Sequence, residues 1–148
     1  MKTNKKVKTA IILAAGSGNR LDIFETPKPV VRLNNKSLIM HAIDMFRDEG
    51  VDNFFVITKP GDKLIRKELI DIDGINYVEK ERDSKGMLGS ILEIKNIIDS
   101  EKLKDDFYVS MCDLCFSENP IKYFDENGHD GISVLVSPDT GVKENSGA

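Results

Sequence analysis

Thr9-Ala10-Ile11-Ile12-Leu13-Ala14-Ala15-Gly16-Ser17-Gly18-Asn19-Arg20-Leu21, followed a few positions later by Pro27-Lys28-Pro29, is the stretch on which the fold turns. Thr9 to Ala14 is apolar almost throughout, as a strand buried on both faces must be, and it ends in small residues. Gly16 and Gly18 permit positive φ and close approach to the backbone, so successive amide hydrogens can converge on phosphate oxygens. Arg20 and Lys28 supply the positive charge that amides lack. A strand, a glycine loop and two cations in this order predict a triphosphate site at the end of a strand in an α/β sheet.

Two other phosphate loops are excluded by spacing. A P-loop needs four residues between its glycines and a closing Gly-Lys-Ser/Thr, whereas one residue separates Gly16 from Gly18 and no lysine follows. The dinucleotide fingerprint needs a third glycine where Leu21 stands, and an acidic residue ending the second strand where Thr58 and Lys59 stand. A nicotinamide or flavin fold is therefore disfavoured.

Outward from this stretch, strands and helices alternate. A helix is expected from about Leu38 to Glu49, capped by Ser37, with Leu38, Ile39, Ala42, Ile43 and Phe46 on one face and Gly50 at its stop. Strands are expected at Asn53 to Thr58, Ile75 to Glu79 and Phe107 to Cys112, with a short charged helix from Gly61 to Leu69. A further helix runs from Leu88 to Asp99, its face set by Leu88, Ile91, Leu92, Lys95 and Ile98. Ser117 caps a helix reaching Asn127, and Gly131 to Val136 reads as a last strand. The predicted architecture is a three-layer, Rossmann-like α/β fold, a mainly parallel sheet with helices on both faces. Gly16, Glu79 and Asp113 are expected to gather beyond the carboxyl ends of its strands.

With 148 residues and 40% hydrophobic content the chain is long enough for one domain with a real core. Residues 1–7 form a basic tail, 8–136 the core and 137–148 a polar tail with almost nothing apolar. A net charge of −4 argues against a nucleic-acid partner, so any polyphosphate site must be locally basic on an acidic body. The lysines before Ala10 are read as a solvated tail and not as a signal peptide, since the glycine loop accounts better for Gly16 to Arg20. No segment approaches membrane-spanning length, and a cytoplasmic location is expected. Cys112 and Cys115 lack a second pair or histidines at ligand spacing, so they are read as reduced thiols with Cys112 a small buried side chain.

These residues carry a resemblance to the nucleoside-diphosphate-sugar pyrophosphorylase-like nucleotidyltransferases, whose signature L-A-A-G-x-G-x-R and then P-K-P is matched from Leu13 to Arg20 and at Pro27-Lys28-Pro29. Within them the chain is most similar to inositol-phosphate and phosphocholine cytidylyltransferases, on Pro29-Val30-Val31-Arg32-Leu33, Lys85-Gly86 with Ser90, and Val109-Ser110-Met111-Cys112-Asp113. It departs from them at Leu114, where they often place histidine, and in the spacing of its second glycine, Gly89. The resemblance covers about Lys8 to Val136. It implies a nucleotidyltransferase, glycosyltransferase-A-like fold. It also implies transfer from a nucleoside triphosphate, CTP favoured, to a phosphorylated polyol, amino-alcohol or sugar, with release of pyrophosphate.

The same resemblance distributes the roles. Arg20 and Lys28 are the catalytic cations, and Leu13, Ala14, Ala15, Gly16, Ser17, Gly18, Asn19, Gly86 and Ser90 bind the nucleotide. Asp113 holds Mg2+, and without the metal its carboxylate is expected to be a strained position. His41 is read as a partly buried structural histidine. Family members continue into strands that cover the acceptor pocket and supply a second acidic ligand. A second reading is accordingly a nucleotide-binding module, or an incomplete piece of a longer enzyme, that binds without turnover.

Overall fold

The computed structural model describes residues 6–16, 26–80, 86–116, 118–127 and 131–134. Four parallel strands form the main sheet: β1 (Thr9–Leu13), β4 (Asn53–Thr58), β5 (Ile75–Glu79) and β6 (Phe107–Met111), in the order β5-β4-β1-β6. A two-stranded antiparallel hairpin, β2 (Arg32–Leu33) and β3 (Lys36–Ser37), stands apart from it. The helices are α1 (Leu38–Arg47), α2 (Lys63–Glu68), α3 (Gly86–Asp99) and α4 (Ile121–Asn127), with a single 3-10 turn at Lys28–Val30.

Strand β1 is central, paired in register with Asn53 to Ile57 on one edge and Phe107 to Met111 on the other. Its residues therefore alternate between two cores. Ala10, Ile12 and Ala14 pack with Phe54 and Val56 against Ile39, Ile43 and Phe46 of α1, Ile65 of α2 and Ile121 of α4. Ile11 packs with Phe55 and Ile57 against Ile97 of α3 and Leu103. The chain steps from β1 to β4 to β5 in one direction and then returns past β1 to β6. Right-handed crossovers then require α1 and α2 on one face and α3 on the other, as found.

Local signals explain the elements. Ser37 caps α1, its buried hydroxyl accepting from the Met40 amide at 3.4 Å, and Asp62 caps α2 by accepting from the Ile65 amide at 3.0 Å. Ile39, Ala42, Ile43 and Phe46 are buried as their spacing predicts. The hairpin turns through Asn34 and Asn35 at φ 50° and 64°, the left-handed pair of a two-residue turn. That Asn-Asn signal was present in the sequence and not used.

Three expectations are corrected. In α3 the apolar stripe faces outward: Ile91, Leu92 and Ile98 are 49%, 49% and 42% exposed, while Gly89, Ser90, Glu93 and Ile97 are buried. The inward side of α3 is mixed, with Ile94 and Ile97 in the second core beside the buried Ser90 and Glu93. Glu79 does not join Gly16 and Asp113, since β5 is the far edge strand and its carboxylate accepts from the Gly61 amide at 3.2 Å and Arg66 at 3.1 Å. Residues 131–134 form no strand, and Ile132 and Val134 are 96% and 74% exposed, so this apolar alternation is not buried by the described residues. Ser117 lies outside the described residues; at this end Asn119 accepts from the Ile121 amide at 3.0 Å.

Gly74, at the turn into β5, has φ +79°, and a Cβ built there would lie 2.0 Å from the Asp52 carbonyl oxygen. Its own carbonyl accepts from the Phe54 amide at 2.8 Å, so the turn cannot move aside without breaking the β4 register. Gly74→Ala should lower unfolding free energy by about 3 kcal/mol, read by urea titration. Cys112 is buried, and burial together with the neighbouring Asp113 charge pushes its thiol up to about 12, whereas Cys115 is exposed. Iodoacetamide at pH 8 should therefore alkylate Cys115 in the folded chain, and Cys112 only once urea unfolds it.

Candidate active site

The strand order reverses between β1 and β6, and a crevice opens beyond the carboxyl ends of two strands that diverge in this way. The register pairs Leu13 with Met111, so Ala14 to Gly16 leave the sheet beside Cys112 and Asp113. Ala14 extends the ladder by one bond, its amide donating to the Ile57 carbonyl at 2.9 Å. Ala14 and Ala15 are buried and Gly16 is exposed.

Of the two properties expected of Gly16, positive φ is not the one used: its φ is outside the left-handed region. A Cβ built on it would meet nothing within 4 Å among the described residues, so the missing side chain leaves space above the backbone. Ser17, Gly18, Asn19 and Arg20 lie outside the described residues.

Lys28 reaches the crevice from the 3-10 turn. Pro27 and Pro29 flank it, Pro29 is buried, and the turn is closed by Val30 and Val31 amides donating to Pro27 and Lys28 carbonyls at 3.0 and 3.2 Å. The Leu38 amide, at the start of α1, donates to the Val31 carbonyl at 2.9 Å. The hairpin beyond is anchored by His41, whose Nε2 donates to the Leu33 carbonyl at 2.9 Å, a structural role as expected. Arg32 bridges from the hairpin to Glu68 of α2.

The Lys28 ammonium donates to Oδ2 of Asp113, a residue 85 positions away. The Asp113 side chain is 15% exposed and that of Lys28 40%. Asp113 is therefore charge-compensated, which corrects the expectation of a strained carboxylate. Its second oxygen is another matter: among the described residues Oδ1 is buried without a hydrogen-bond partner, and a desolvated carboxylate oxygen needs one. A carboxylate is the donor an oxygen-seeking divalent cation takes, and with Oδ1 enclosed such a cation would meet this one at Oδ2, where Lys28 sits. Among the described residues no group of three or more His, Cys, Asp or Glu side chains comes together.

Sequence reasoning missed two features of this end of the sheet. Thr58, at the carboxyl end of β4, is fully buried and its Oγ1 likewise lacks a partner. Lys80 and Glu93 are buried charged residues with interactions of their own, Glu93 accepting from Asn96 at 3.1 Å. Thr58 ending an apolar run was the available signal. Gly86 and Ser90 both belong to α3, which begins two residues earlier than expected, with Gly86 its first residue and Ser90 buried.

Comparison with known proteins addresses the family and the fold. A Sulfurisphaera tokodaii bifunctional sugar-1-phosphate nucleotidylyltransferase/acetyltransferase is 34% identical over 140 residues, covering 90% of this chain and 32% of that protein. The inositol-1-phosphate CTP transferase of T. maritima superposes with a TM-score of 0.59 at 25% identity, over 73% of this chain and 44% of that one. A Bacillus anthracis protein described as a glucose-1-phosphate thymidylyltransferase shares the fold with a TM-score of 0.66 at 21% identity, over 80% of this chain and 49% of that one. The chain thus spans less than half the length of each of these proteins. Residues 10–142 match the MobA-like NTP transferase domain, and the chain belongs to that family.

Proposed function

We propose that this domain binds a nucleoside triphosphate with Mg2+ and transfers its nucleotidyl group to a phosphorylated small molecule, releasing pyrophosphate. The observation that carries the reading is the convergence of Lys28 and Asp113 at the switch point of the sheet, beside the open backbone of Ala14 to Gly16. CTP is the favoured triphosphate, and a polyol, amino-alcohol or sugar phosphate the acceptor. The cytidylyltransferase-like residues and the likeness to a CTP transferase support that choice. Free cysteines and a triphosphate substrate both suit the cytoplasm.

An acceptor phosphate oxygen attacks the α-phosphorus and pyrophosphate departs, so no nucleophile on the protein is needed. The protein's task is alignment and neutralisation of charge. Asp113 would hold Mg2+ through its carboxylate, and the bound ion would supply charge neutralisation between phosphate oxygens. Lys28, with its backbone fixed by two prolines, is placed to stabilise charge that builds on the α-phosphate. Arg20 is assigned to the departing β and γ phosphates, and the inner face of α3 at Ser90 to the base.

Calorimetry with Mg2+ and each of CTP, UTP, GTP and ATP should show binding, tightest for CTP; no binding by any of the four would reject the site. Pyrophosphate release abolished by chelation would separate the enzyme from a module that only binds. Lys28→Ala should lower turnover about a hundredfold, more than it lowers triphosphate affinity. An unchanged rate removes Lys28 from the mechanism. Gly16→Ala should leave the melting temperature without nucleotide within about a degree, since neither φ nor space opposes the methyl. The same variant should weaken CTP binding at least tenfold, and retained affinity would mean that the ligand does not approach the Gly16 backbone.

A further inference from the structure

We propose that Lys28 and Asp113 form a lock that keeps a divalent cation out of the site until a triphosphate arrives, so that cation and nucleotide bind as one cooperative unit. The proposal rests on the nucleotide reading of the site and adds an order of events to it. Asp113 presents two oxygens, of which Oδ2 is held by the Lys28 ammonium and Oδ1 is buried and unpartnered. A cation approaching the carboxylate finds Oδ1 enclosed and Oδ2 held by a positive charge that repels it. One carboxylate is a small part of the six oxygens a magnesium ion takes, and the described residues bring no cluster of further acidic ligands.

A triphosphate removes both obstacles at once. Its oxygens complete the coordination of the cation, and its negative charge offers the ammonium another partner. The two side chains differ in freedom in the way the lock requires. Asp113 follows directly on β6 and is 15% exposed, whereas Lys28 is 40% exposed on a flexible four-carbon stem over a backbone pinned by Pro27 and Pro29. The lysine moves and the aspartate stays. Exchange of Lys28 from carboxylate to phosphate keeps every charge compensated: Asp113 by the cation, Lys28 by the phosphate. By linkage, the factor by which CTP raises cation affinity equals the factor by which the cation raises CTP affinity.

The test titrates Mn2+ into the full chain, with free Mn2+ read by electron paramagnetic resonance, first alone and then with CTP. For the natural sequence we expect weak binding of Mn2+ alone and a large increase with CTP. Lys28→Met should bind Mn2+ alone at least about tenfold more tightly, and CTP should then raise its Mn2+ affinity by a smaller factor. Lys28→Arg, which keeps the charge, should bind Mn2+ alone as weakly as the natural chain, and Asp113→Asn should lose Mn2+ binding in both conditions. If Lys28→Met does not fold, Lys28→Gln carries the same comparison. CTP binding to the natural chain, together with equal Mn2+ affinity in the lysine-free variant and the natural chain, overturns the lock alone. Failure of CTP to bind even with Mn2+ present overturns the nucleotide reading, and the lock falls with it.

Discussion

Strand β1 is buried on both faces and hydrogen-bonded along both edges, and the rest of the molecule is arranged around that constraint. Every side chain from Ala10 to Ile12 must be apolar, one set for the core under α1, α2 and α4 and the other for the core under α3. Polar chemistry becomes possible only where the chain leaves the sheet. It leaves beside β6, at the point where the strand order reverses, so the two chain segments that emerge there bound a crevice and not a packed layer. The charged side chains that enter this crevice come from opposite ends of the described chain, Lys28 from a turn pinned by prolines and Asp113 from the end of β6.

The electrostatic design follows from that placement. An acidic body with net charge −4 accommodates an anion only where positive charge is concentrated, and Lys28 delivers one such charge to the crevice. It is there bound to a carboxylate that is satisfied on one oxygen and not on the other. Cys112, adjacent to that carboxylate, stays a protonated thiol because burial and the Asp113 charge both disfavour the thiolate. Among the described residues, Lys28 and Asp113 thus face each other here in a balance that a bound charged species would redistribute.

Where pattern and burial agree, the fold was legible in the sequence. Asn53–Thr58 and Ile75–Glu79 have the bounds their composition predicts, and the buried face of α1 follows from its spacing. Legibility failed where the buried surface is polar. The apolar stripe of α3 pointed to the wrong face, because Ser90 and Glu93 are turned inward near the site while Ile91, Leu92 and Ile98 are left outside. Glu79 ends its strand as Asp113 nearly does, yet lies at the far edge of the sheet, and strand order is not encoded in local pattern. For Gly16, of the two expected properties, the positive φ is not used and the space for close approach is present among the described residues. Asp113 is paired with Lys28, 85 positions away, a partner that no local pattern announces.

The central claim is that the Lys28 and Asp113 crevice is where cation and triphosphate meet. Crystals grown with Mn2+ and CTP test it most directly, because the anomalous scattering of manganese locates the ion independently of any assumption about the site. The account predicts an anomalous peak within bonding distance of the Asp113 carboxylate, about 2.1 Å, with phosphate oxygens completing the shell and the Lys28 ammonium moved from the carboxylate to the triphosphate. A peak elsewhere, with the Lys28 to Asp113 pair intact and the triphosphate away from Gly16, would contradict it.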